Sequence, residues 1–148
     1  MAQATDSRNV FDAIAQEHRQ LGGRFDQIRA VLSQKQVNMK AVAELLSDLA
    51  QVVERHFAHE EKGGYFYEVV ETSPRLAGDV ELLRHQHQLL RCQLREMCAQ
   101  VRLAHNSWIW WQALRIDFAG FSQQFAEHEA RENSLAQEAY TQDIGPSD

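Results

Sequence analysis

Four histidines and two glutamates stand where the spacing of their neighbours calls for apolar residues. In "VVERHFAHEEKGGYF", His56 and Glu60 are one helical turn apart at the end of an apolar series, and His128 and Glu132 repeat that spacing in "HEARENS". His18 and His87 each interrupt a further series alone. Burying an imidazole or a carboxylate without a partner costs several kcal/mol, roughly, so a chain that does it repeatedly needs a reason. A metal ion is a partner that serves several such groups at once. Imidazole with carboxylate suits iron, manganese or zinc, and six ligands with two carboxylates able to bridge suit a pair of ions better than one.

The elements that must carry these residues are legible from period. Phe11, Ile14, His18, Leu21, Phe25, Ile28 and Leu32 follow one another at steps of 3 and 4, which predicts a helix over about 8–35. Leu46, Leu49, Val53, His56 and Glu60 predict a second over about 39–62, where Gly63-Gly64 marks an end or a distortion and "YFYEVV" continues helical in character. A third starts after "ETSPRL", with Ser73 as N-cap and Pro74 at the first helical position, and its seam is Val80, Leu83, His87, Leu90, Leu94, Met97 and Val101. The fourth opens after "HNS", capped by Asn106 or Ser107, and runs from Trp111 through Phe118, Phe125, His128 and Glu132 to Ala139. No strand alternation competes, and short links imply an all-α, up-down-up-down four-helix bundle. The chain reads as one domain over 1–148 with its core at about 8–140, and the tail "TQDIGPSD" reads as frayed.

Residues equidistant from a shared turn of an antiparallel pair lie at one height. With the first turn centred near Val37, His18 and His56 are level; with the last centred near residue 107, so are His87 and His128. At 1.5 Å per residue both pairs lie about 29 to 31 Å from the same end of the bundle. Each helix therefore brings one histidine to one buried layer, and two helices add a glutamate. His85 points off the seam, His59 falls at its edge and His105 lies in a turn. Glu17, Glu61 and Glu129 adjoin the candidate ligands and are placed to orient imidazoles or to face solvent. "SWIWW" reads as a packing cap at the far end, and Tyr65 and Tyr67 as closing the near one.

Composition narrows the setting. A net charge of −6 argues against nucleic acid or anionic membrane as partner and favours a small soluble ligand. No apolar run approaches the ~18 residues of a membrane span, and the amino terminus lacks a signal-like core. Cys92 and Cys98 point apart on one helix and read as free thiols of a reducing cytoplasm.

These motifs together resemble the hemerythrin-like, or HHE cation-binding, domains. "EHRQL" resembles the first-helix motif, "HFAHEE" the HFxxEE motif of the second, "QHQLL" the third and "HEARENS" the fourth, so that the likeness covers about residues 10–140. The resemblance implies two non-haem iron ions with an oxo or hydroxo bridge, His18, His56, His87 and His128 as terminal ligands, and Glu60 and Glu132 bridging. Oxygen-carrying members have a further third-helix histidine one turn from the first, where this chain has Leu83 and Arg91, and they use HxxxxD where His128 and Glu132 give HxxxE. A water, a vacancy, His59 or His85 would then complete the second iron. The implied function is a di-iron protein engaging oxygen, nitric oxide or peroxide, as a sensor or in redox and iron handling. The alternatives are a di-iron peroxidase or oxidase, and a metal-free or zinc-bound interaction module; no protein partner is indicated.

Overall fold

The computed structural model describes the backbone of residues 2–143 and the side chains of residues 8–141. Helix α1 spans Ala2–Leu32, α2 Met39–Lys62, α3 Tyr65–Thr72, α4 Ala77–Leu103 and α5 Trp108–Asp143, with a single 3-10 turn at Pro74–Leu76. The described residues contain no strand. The four long helices form the expected bundle in the cyclic order α1, α2, α4, α5, and the short α3 packs across one end against α1, α2, α4 and α5.

Each apolar series becomes the buried stripe of its helix, from Ile14 and Leu21 in α1 to Leu114 and Phe118 in α5, with Phe11 at the start of the first series half-buried. Asn38 caps α2 by accepting from the Ala41 N–H at 3.1 Å. Ser107, not Asn106, caps α5 by accepting from the Trp110 N–H at 3.3 Å. Asn106 instead accepts from the Met39 N–H at 3.3 Å and so ties the two turns at this end together.

Several expectations are corrected. Helix α1 starts at Ala2 and ends at Leu32, outside and inside the expected limits of 8 and 35. Of the two outcomes expected at Gly63-Gly64 the structure shows an end: α2 stops at Lys62, and "YFYEVV" is helical as expected, in a helix of its own. Ser73 makes no side-chain capping bond; Pro74 starts the 3-10 turn and α4 begins only at Ala77. Of "SWIWW" only Trp111 is buried, since Trp108, Ile109 and Trp110 lie off the stripe and are exposed. Tyr67 is exposed as well, so of the two tyrosines only Tyr65 closes the near end. Of the tail, Thr141, Gln142 and Asp143 belong to α5, and the remainder lies outside the described residues.

The corner between α2 and α3 depends on glycine. Gly64 has φ +118°, which side-chain-bearing residues rarely adopt, and a Cβ on Gly63 would stand 2.5 Å from the His59 carbonyl oxygen. Gly64→Ala is expected to cost about 1–3 kcal/mol, read as a lower thermal midpoint; an unchanged midpoint would show that the corner is not held by this conformation.

Two apolar clusters divide the core. One runs from Leu21 and Phe57 to Trp111, the other from Ile14 through Tyr65, Phe66 and Leu83 to Ala139. Between them lies a buried layer that is not apolar.

Candidate metal centre

That layer holds six polar side chains from the four long helices: His18 from α1, His56 and Glu60 from α2, His87 from α4, and His128 and Glu132 from α5. His18 is 7% exposed, and Glu60, His87 and Glu132 are 0% exposed. Their ligating atoms form two groups, each lying within 4.8 Å: His18, His56, Glu60 and Glu132, and Glu60, His87, His128 and Glu132. Both glutamates belong to both groups. The imidazoles pair accordingly, with ring centroids 5.0 Å apart for His18 and His56 and 4.7 Å for His87 and His128.

The outer nitrogen of every ring is taken. His18 Nδ1 meets Asn133 Oδ1 at 3.1 Å, His56 Nδ1 meets Glu17 Oε2 at 2.8 Å, His87 Nδ1 meets Glu61 Oε1 at 3.2 Å, and His128 Nδ1 meets Gln86 Oε1 at 2.7 Å. All four partners are oxygen acceptors, so each Nδ1 carries the donated proton and each Nε2 turns a lone pair inward. Among the described residues, the four Nε2 atoms and all four oxygens of Glu60 and Glu132 have no hydrogen-bond partner. His56 Nε2 and His87 Nε2 approach Glu60 Oε1 at 3.1 and 3.3 Å, and His128 Nε2 lies against Glu132 Oε1, but none of these contacts has hydrogen-bond direction. Orphaned buried donors and acceptors cost about 1–3 kcal/mol each. Two cations sharing both carboxylates fit these eight atoms, with two imidazole nitrogens for each ion.

The electrostatics favour the ligating forms of Glu60, His18 and His128 and shift His56 the other way. Burial pushes the Glu60 carboxyl up, but His56 and His87 outweigh it and hold it down to about 2. Burial, assisted by His87, brings His128 down to about 3. Burial and the neighbouring His56 also lower His18. Burial lowers His56 too, but Glu60 and Glu17 overcome it and shift it upward. Glu129 is raised to about 7 by burial, with His56 opposing and Glu60 adding.

Around the layer, the neighbouring residues sort themselves. Glu17 accepts from both His56 and His59, the latter at 2.8 Å, so His59 turns away from the centre and is in neither group. His85 and His105 are exposed. Arg91 donates to Glu61 Oε1 and to Glu54 Oε2, both at 2.9 Å, and stands 5.2 Å over the Phe57 ring. It thus anchors the carboxylate that orients His87, while Leu83 belongs to the apolar cluster. Neither place for a fifth histidine supplies a ligating nitrogen, since Leu83 has none and the Arg91 guanidinium is a protonated donor. Phe57 and Phe66 both stack on His87, at centroid distances of 3.8 and 5.3 Å, and the Tyr65 hydroxyl donates to the Glu132 carbonyl at 2.6 Å.

Asn133 and Gln86 were not among the expected orienting residues. Each adjoins a candidate ligand in sequence, but so do many surface polar residues, and nothing in their type distinguishes them. Glu17 and Glu61 orient imidazoles as their positions allowed; Glu129 Oε1 has no hydrogen-bond partner among the described residues.

Steps of 3 and 4 separate the two histidines of "LLRHQHQLL", and the structure agrees. His87→Ala is expected to lose about one ion per chain or to destabilise the bundle, whereas His85→Ala leaves metal content and spectrum nearly unchanged. Metal analysis of both variants checks this; loss in the His85 variant alone would mean that α4 is rotated from this register.

A model of the hemerythrin HHE cation binding domain matches residues 9–140. Comparisons with curated proteins and with solved structures yield no match.

Proposed function

Because the chain belongs to the hemerythrin HHE cation-binding domain family, we propose that it is a non-haem di-iron protein that engages oxygen, nitric oxide or peroxide, serving as a sensor or in redox and iron handling. The observation that carries this reading is the set of eight buried nitrogen and oxygen atoms without hydrogen-bond partners, divided into two groups that share both carboxylates. His18 and His56 would hold one ion and His87 and His128 the other, with Glu60 and Glu132 available to both. When bound, the iron pair supplies redox chemistry and an open position for a small ligand.

The chain supplies the rest. Asn133, Glu17, Glu61 and Gln86 fix ring orientation and tautomer through the outer nitrogens. The two apolar clusters exclude bulk water from both sides of the layer, and Tyr65 and Phe66 cover it from α3. Two imidazoles per ion leave fewer protein ligands than a carrier with a fifth histidine would have, which favours reaction over reversible storage of oxygen. Unpaired Cys92 and Cys98 accord with a reducing cytoplasm.

Protein made under iron-replete conditions is expected to contain about two irons per chain and to absorb in the near ultraviolet as an oxo-bridged ferric pair. After reduction, air should restore the oxidised spectrum within minutes, without reversibility. A zinc-only or metal-free product would overturn the di-iron reading. Spectra that cycle reversibly with oxygen would mark a carrier, and sustained peroxide consumption would mark an enzyme.

A further inference from the structure

The outer face of α4 carries a second periodic stripe that the core does not use. Leu82, Leu89 and Leu103 fall on a seven-residue repeat whose remaining position is Glu96, and His85, Cys92 and Ala99 lie between them at alternating steps of 3 and 4. The three leucines are 50%, 67% and 78% exposed, and the residues between them are exposed as well. Residues so spaced form one narrow seam, here about 32 Å long. Its natural occupant is another helix with the same repeat, and α4 of a second copy is such a helix.

Charge and size choose the direction. Parallel pairing would set Glu96 on Glu96 within the seam and leave Glu81 facing a glutamine on its flank. An antiparallel register removes both faults. It places Leu82 against Ala99 of the second copy, Leu89 against its Cys92 and Leu103 against its Gly78, so that a large side chain meets a small one at each apolar level. In the same register His85 meets Glu96 of the second copy, and Glu81 on the flank meets its Arg102. Among the described residues Glu81 has only an exposed contact with Arg84, at 3.5 Å, and Arg102 makes no ion pair. We propose that the exposed face of α4 pairs with α4 of a second copy, antiparallel and about a two-fold axis, to form a homodimer. The two-fold makes every one of these contacts twice.

Sedimentation equilibrium of the iron-loaded full chain tests this. The expected mass at high concentration is twice the 17.0 kDa of one chain. Leu89→Asp should return it to the monomer with iron content and helical circular dichroism unchanged, because that side chain lies outside the core. Glu81→Arg should weaken association about tenfold or more, and adding Arg102→Glu should restore it. A monomer at all concentrations would overturn the proposal, as would a dimer that survives Leu89→Asp and dissolves on Ile109→Asp. Failure of the second charge reversal to restore the first would overturn the antiparallel register.

Discussion

Glu60→Ala and Glu132→Ala should each remove both irons, whereas loss of any one histidine should remove about one. The asymmetry follows from membership: each histidine belongs to one group of ligating atoms and each glutamate to both. Losing an imidazole leaves its ion with one imidazole and two shared carboxylates and leaves the other group intact. Losing Glu60 deprives both groups of a carboxylate at once and also leaves two like charges without a bridge. Iron per chain should fall from about two to below about one half in the glutamate variants, and to about one in His18→Ala or His128→Ala. Glu60→Gln, which keeps the shape and removes the charge, should behave like Glu60→Ala. Helical circular dichroism separates loss of metal from loss of fold. Two irons retained in folded Glu60→Ala would show that the carboxylates do not bridge.

Stripping the metal should lower the thermal midpoint by roughly 15–30 °C, the largest stability change expected for this chain. A ligand present at a thousand times its dissociation constant stabilises the folded state by about 4 kcal/mol, so two ions contribute about 8. At this size each kcal/mol moves the midpoint by about 2–4 °C. The physical source is the orphaned layer, where four imidazole nitrogens and four carboxylate oxygens face one another without hydrogen bonds. Melting curves of chelator-treated and iron-reloaded protein measure the difference. A shift of only a degree or two would mean that the layer is satisfied in some other way and that the ions are weakly held.

The stripes were legible because burial in a helical bundle repeats every 3 or 4 residues, and the interruptions were legible because imidazole and carboxylate have no place in such a stripe. Val80 through Val101 in α4 are buried residue for residue as the spacing requires. Height was legible too, since short turns fix the register of antiparallel neighbours. The flanks were not. Whether Asn133 faces His18 or solvent depends on which helix stands beside α5 on that side, and therefore on the handedness of the bundle, which no periodicity encodes. The corner at Gly63-Gly64 was seen but its outcome was not, because whether a chain continues, kinks or turns after two glycines is decided by what Tyr65 and Phe66 find to pack against.

The four outer-nitrogen bonds form a closed circuit. The histidine of α1 is held by α5, that of α5 by α4, that of α4 by α2, and that of α2 by α1. Every helix both gives and receives, so the layer acts as a hoop around the bundle rather than as four separate brackets. A helix that slid by one turn or rolled about its axis would break two links, its own and its neighbour's, and would unseat a ring on each side. The hoop therefore records the register of the whole bundle at one height, and disturbance at any link, such as a change at surface-facing Glu17, should be felt by the ring farthest from it.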